Sequence, residues 1–346
     1  MKKNLPFILI AILLLSVAFT GCNKNNQSGE TNNPTMSSIP SNTPTKEVTT
    51  AVIAGLKGPT SMGMIRMFAE VNSLSEFVKV EFNVYSAPDV ITAGLLNGEI
   101  DIAAIPTNLA ATLYNKTEGD IVLLGVNTLG VLNILTSDKV SITSMADLKG
   151  KKIIASGKGS TPEYILNYLL EMNGLDPSKD VEIEYKTEHS EVASMILSGE
   201  ADIVLLPQPF VTTVIMQNPT IKNAVDMTEE WNKAAGDDST LMMGCLVTTR
   251  EFAEKYESEL VSLMILNLES AEWVNQYPSD AAPFIVQYDV LPSVEVAEKA
   301  IPDSNITFIF AQKAKDQLNG FFKILYDYNP QSIGGELPKD DFYFGQ

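Results

Sequence analysis

The chain has 346 residues, 45% of them hydrophobic, enough for two ordinary domains with buried cores. Its formal charge is −19, or −21 once a leader carrying Lys2 and Lys3 is removed. So acidic a surface argues against nucleic acid and anionic lipid as partners, because neutralising phosphates takes Lys and Arg. Two cysteines and one histidine make no Cys/His cluster, so no metal and no cofactor is expected. His189, in Thr187-Glu188-His189-Ser190, has no nucleophile-elbow pattern around it and is expected to be a surface or loop residue.

Lys2 and Lys3 precede an apolar run from Leu5 to Phe19. It is shorter than the roughly 20 residues a membrane span needs. A basic start and a short apolar run are the pattern of a secretory leader. Phe19-Thr20-Gly21-Cys22 resembles a bacterial lipoprotein signal, with Phe19 where Leu is usual. Residues 1–21 are therefore expected to be removed and Cys22 to carry lipid. Residues 22–48 are rich in Asn, Ser, Thr and Pro. They bury too little apolar surface to offset ordering entropy, so they read as a disordered tether.

Regular patterning starts at Thr49. Ala51-Val52-Ile53-Ala54 reads as a strand, and Met64, Met67, Phe68 and Val71 as one face of a helix. Val80, Phe82 and Val84 alternate as a strand, Asp89 can cap the helix that follows, and Ile100 to Ile105 is a third strand. The order then repeats at an offset of 101 residues, with Ile153-Ile154, the Ile165–Met172 helix face, Val181 to Tyr185, a Ser190 cap and Gly199-Glu200-Ala201-Asp202-Ile203. Two similar β-α-β-α-β units follow, each a parallel sheet whose ligand-facing loops leave the C-terminal strand ends. Val131–Leu135 and Leu241–Val247 read as strands bracketing the second unit, so a two-stranded hinge is expected. Lobe 1 would comprise 49–131 plus 246–346, and lobe 2 would comprise 132–245. Glu251 to Tyr277 and Ala311 to Tyr328 read as long helices.

The two units share Lys-Gly-x-Thr loops, at Lys57, Gly58, Thr60 and at Lys158, Gly159, Thr161. Glycine lets backbone approach a ligand, and a following helix offers unpaired N–H groups and partial positive charge. With Thr60, Ser61, Ser160 and Thr161 as hydroxyl donors, the loops are expected to hold an anion without Arg. Read singly, each is an ordinary N-cap and turn; the pairing favours a shared cleft. Neither is a nucleotide loop, since Met64-Ile65 stands where a P-loop needs Lys-Ser/Thr. Thr107, Asn108 and Gln208 are expected to fix ligand polarity, and Met62, Tyr85 and Phe210 to supply apolar walls, each with core packing as its alternative. Lys57 and Lys158 would assist an anion or lie exposed, and Glu188 would select a cationic or donor-bearing ring. Trp231 reads as a lid or as a pin for its loop, and Cys245 as a buried thiol.

The loop Leu56-Lys57-Gly58-Pro59-Thr60-Ser61-Met62-Gly63, the repeated Gly-Glu-x-Asp-Ile starts and Leu206-Pro207-Gln208-Pro209-Phe210 carry a resemblance. They look like lipoproteins of the type II periplasmic-binding-protein fold. Within that fold they are closest to the substrate-binding components of ABC importers for nitrate, sulfonates, taurine and thiamine-pyrimidine precursors. The resemblance covers about residues 49–330. It implies an α/β fold of two lobes with a cleft between them, no catalysis, and a monomer. The monomer would close on a small molecule (an organic anion, a sulfonate or a heterocyclic vitamin precursor) and deliver it to a permease and its ATPase. The alternatives are a sensory lipoprotein on the same scaffold and a thiamine-pyrimidine-synthase-like enzyme. The enzyme is disfavoured because Cys245 is the single cysteine besides Cys22, whereas those synthases carry a Cys-rich iron motif.

Overall fold

The computed structural model describes residues 48–236 and 239–345. The expected leader, Cys22, the tether up to residue 47 and Asp237-Asp238 lie outside them.

The first unit runs β1 (Thr49–Leu56), α1 (Pro59–Met62), α2 (Ile65–Glu70), β2 (Val78–Tyr85), α3 (Pro88–Asn97), β3 (Ile102–Pro106), α4 (Thr107–Lys116) and β4 (Ile121–Leu129). The second runs β5 (Leu132–Thr136), β6 (Lys152–Ser156), α5 (Thr161–Met172), β7 (Glu182–Lys186), α6 (His189–Ser198), β8 (Ile203–Pro207), α7 (Phe210–Gln217), β9 (Lys222–Asp226) and α8 (Met227–Ala235). The chain returns through β10 (Met242–Thr249), α9 (Arg250–Lys255), α10 (Glu257–Gln276), α11 (Pro278–Gln287), α12 (Val294–Ala300), β11 (Ile306–Phe310) and α13 (Ala311–Tyr328).

Two sheets result, ordered β11-β4-β10-β3-β1-β2 and β7-β6-β8-β5-β9. β1 is parallel to β2 and β3, and β6 is parallel to β7 and β8. Each sheet has an internal strand antiparallel to the parallel β1/β3 or β6/β8 set beside it, β10 in the first and β5 in the second; in the first, β4 also opposes both its neighbours, β10 and β11. β10 and β5 are each the first strand after the chain crosses between lobes, so the two sheets share one plan. The protein has the two-lobe α/β fold expected from the sequence.

The 101-residue repeat is structural. α3 and α6 match at both ends, as do β3 and β8. Gly98 and Gly199 end their helices in the same left-handed conformation, φ 78 in both, which a side chain would strain. The match stops after β8: α4 starts at once, whereas the turn Gln208-Pro209 precedes α7.

Several local expectations need correcting. Residues 242–245, assigned to the second lobe, lie in the six-stranded sheet, because β10 pairs along its length with β4. α3 begins at Pro88, whose fixed φ suits a first helical position, so Asp89 sits inside the first turn and caps nothing. α6 begins at His189, and Ser190 likewise falls within its first turn. The run from Glu251 to Tyr277 is two helices, broken at Tyr256 with φ −127. Trp231 is fully buried, between Tyr168 at 5.1 Å and Phe321 at 5.5 Å, so it pins α8 against both lobes. Cys245 is buried, its thiol donating weakly to Ile105 O at 3.6 Å.

Candidate functional site

In parallel α/β sheets the C-terminal strand ends carry the loops that reach ligands. Here the loops of the two lobes touch. Thr161, the first residue of α5, donates its hydroxyl to Asn108 Oδ1 at 2.5 Å, and both side chains are buried. Asn108 Nδ2 donates to Ser332 O at 3.1 Å, which fixes the amide with its oxygen toward Thr161. A Cβ at Gly58 would lie 4.0 Å from the Pro209 ring, so the second pair of loops also meets. The structure is therefore closed across the junction of the expected loops.

On the first lobe the expected donors turn mostly inward. α1 is a single turn, since Pro59 starts it and the chain re-forms its helix only at Ile65. So short an element has little dipole to offer an anion, contrary to the sequence expectation. Ser61 Oγ is buried with no protein partner among the described residues, and it lies 2.1 Å from where a Cβ on Gly55 would sit. It points at β1, not outward. Met62 is fully buried in the core, which corrects its role as a cleft wall. Lys57 pairs with Asp289 at 2.8 Å on its own lobe. Thr60 packs its methyl toward Gly244, and its carbonyl accepts from Asn127 Nδ2 at 3.0 Å. Tyr85 is half-buried, its carbonyl accepting from Lys57 N at 2.9 Å. Thr107 starts α4 with a fully buried hydroxyl turned toward the Cys245 thiol.

On the second lobe the loop satisfies itself. Ser160 Oγ donates to Gly157 O at 2.6 Å, and Gly159 N donates to Glu163 Oε2 at 2.5 Å. The carboxylate of Glu163 thus holds the place at the start of α5 where the sequence suggested an external anion. Gln208 accepts through Oε1 from Thr212 N and Thr212 Oγ1, at 3.2 and 2.8 Å, and so braces α7. Lys158 is exposed, 6.0 Å from the Tyr185 ring, and Glu188 is exposed.

Two groups escaped the sequence reading. Asn127, at the end of β4, is buried and links to Thr60 and Thr128. His189, read as a surface or loop residue, is half-buried at the loop end of α6, with its Nδ1 2.5 Å from Ser156 Oγ and its ring 5.4 Å from Phe210. Burial pushes its pKa down to about 4, so the ring is neutral at neutral pH. A lone His next to Glu188 gives no sequence signal of this. The one hint was its place directly after a strand's C-terminal end.

A cavity of about 510 Å³ lies between α7 and residues 299–305, beside Gly130. Of the residues expected to bind ligand only Gln208 borders it, so it is distinct from the loop junction. Among the described residues no group of acidic, His or Cys side chains is placed to hold a metal, and no helix is long and apolar enough to cross a membrane.

Residues 68–235 match the family described as ABC transporter, phosphonate, periplasmic substrate-binding protein. No curated protein matches the chain. Among solved structures it resembles an ABC transporter protein from Parabacteroides distasonis, with 23% identity, a TM-score of 0.74, and coverage of 86% of this chain and 99% of that one. It also resembles the periplasmic aliphatic sulphonate binding protein SsuA from Escherichia coli, with 17% identity, a TM-score of 0.69, and 86% and 92% coverage. The periplasmic nitrate-binding protein NrtA from Synechocystis is similar at 14% identity and a TM-score of 0.60, with 86% and 84% coverage.

Proposed function

From the match of residues 68–235 to ABC-transporter periplasmic substrate-binding proteins, and from a two-lobe fold shared with sulfonate- and nitrate-binding relatives, we propose that this protein captures a small organic anion for an ABC importer. It is a binder and not an enzyme. The observation that carries the reading is the buried Thr161–Asn108 bond, which joins the starts of two helices from opposite lobes. A ligand entering between those helices meets the positive end of α4 and competes with Glu163 for the N–H groups at the start of α5. Closure over it is a population shift, and the closed form presents both lobes to a permease. The finer assignments rest on the sequence: a leader at 1–21, lipid on Cys22, a tether to residue 48, and a monomer held at the outer face of the cell membrane. Mass spectrometry of Cys22 peptides from membranes tests the anchor; an unmodified Cys22 sinks it.

Calorimetry with alkyl sulfonates, alkyl phosphonates, carboxylates and aminopyrimidines tests the ligand class. Binding of an anion that is lost in Gly159→Val plus Thr161→Ala supports the assignment. Tight binding of an uncharged pyrimidine alone would replace the anion with a heterocycle, and undiminished binding in the double variant would move the site elsewhere.

A further inference from the structure

Three successive strand ends of the second lobe converge on one ring. β7, β6 and β8 are neighbours in the sheet. Ser156 is the last residue of β6, His189 begins the helix after β7, and Phe210 begins the helix after β8. The same corners carry Thr161 and Pro209, which touch the opposite lobe. The ring therefore stands at the wall that the second lobe presents to the first.

Its hydrogen bonding is one-sided. Ser156 is 2% exposed, and its hydroxyl has no other partner among the described residues. Were it to accept from the ring, its own proton would be left buried and unpaired, which buried hydroxyls avoid. Ser156 therefore donates to Nδ1. A neutral ring that accepts at Nδ1 carries its proton on Nε2. Nε2 has no partner among the described residues. Of the neighbouring polar groups, Ser160 is bonded to Gly157, Gly159 N–H to Glu163 and Thr161 to Asn108, while the buried Tyr185 hydroxyl on β7 has no partner among the described residues.

We propose that the Nε2–H of neutral His189, set by Ser156 and flanked by Phe210, is the specificity-determining donor of the second lobe, reading one anionic oxygen of the ligand. This rests on the anion-binding reading above. The ligand class it fits is a small anion with an apolar body, a sulfonate or phosphonate whose carbon chain lies along Phe210. Neutral donors hold such an oxygen without the desolvation cost of a buried cation.

The protein has one histidine, so its imidazole nitrogen signals are assigned without ambiguity. Proton–nitrogen correlation spectra of the nitrogen-15-labelled protein at neutral pH should show a protonated Nε2 and a bare Nδ1. A protonated Nδ1 overturns the proposal before any ligand is added. Ethanesulfonate, methylphosphonate and nitrate are then titrated, with calorimetry in parallel. Binding that shifts Nε2 supports the proposal. His189→Phe should weaken that binding roughly tenfold or more, the loss of one hydrogen bond to a charged group, while His189→Gln restores part of it. Calorimetric binding with an unmoved Nε2 overturns the role of His189 and leaves the anion reading standing. No binding of any probe overturns both.

Discussion

At the scale of single residues, the buried titratable groups give the clearest expectations. His189 has a native pKa of about 4 against an ordinary 6.5, because burial disfavours the charged ring. Between these values the unfolded chain takes up a proton that the native ring refuses. Stability is therefore lost as pH falls from 6.5 toward 4, by at most about 1.4 kcal/mol per pH unit from this group. Urea unfolding at several pH values should show a shallower acid loss in His189→Phe; identical slopes would mean the ring is not buried as described. Burial pushes the Cys245 thiol up to about 12. A thiol reagent should leave Cys245 unmodified in the native protein and modify it fully in denaturant. Residue type alone announced the buried thiol, since Cys245 sits in an apolar run. It did not announce the histidine, because burial there comes from residues 33 and 21 positions away, Ser156 and Phe210.

Among the elements, the crossover from β4 to β5 is tightly packed. A Cβ on Gly130 would meet Thr228 Oγ1 at 2.2 Å and Leu241 Cδ2 at 2.9 Å. Gly130→Ala is expected to cost about 1–3 kcal/mol, as overpacking does, and to lower the urea midpoint without changing the slope. An unchanged midpoint would show that Thr228 and Leu241 yield freely. Strands and helices of the repeat were legible because their apolar periods are local. The breaks at Tyr256 and between Met62 and Ile65 were not, since the apolar spacing continues through them while the backbone turns to meet other elements.

For the whole molecule, the Thr161–Asn108 bond is one buried polar contact between the lobes, beside Trp231–Phe321 and Gly58–Pro209. Thr161→Val keeps the shape but leaves Asn108 Oδ1 unpaired when closed. Leaving such a group buried costs about 1–3 kcal/mol, so opening becomes favoured by roughly tenfold or more. Small-angle scattering should show a larger radius of gyration in the variant. An unchanged radius would mean that other contacts hold the lobes shut. A ligand at 100 times its dissociation constant should restore the compact form and add about 2.7 kcal/mol of stability.

The sequence by itself determined the two lobes, their shared order of strands and helices, and the loops that meet between them. These follow from local apolar periods and from glycines that only certain turns admit. Tertiary structure alone decided what each polar side chain in those loops does. Gly159 faces Glu163, Gln208 braces α7, Lys57 pairs with Asp289, and Met62 is core. A hydrogen bond or a burial is a relation between distant positions, and no spacing within a loop encodes it. For the same physical reason His189, unremarkable in the sequence, became the ring on which three strand ends converge.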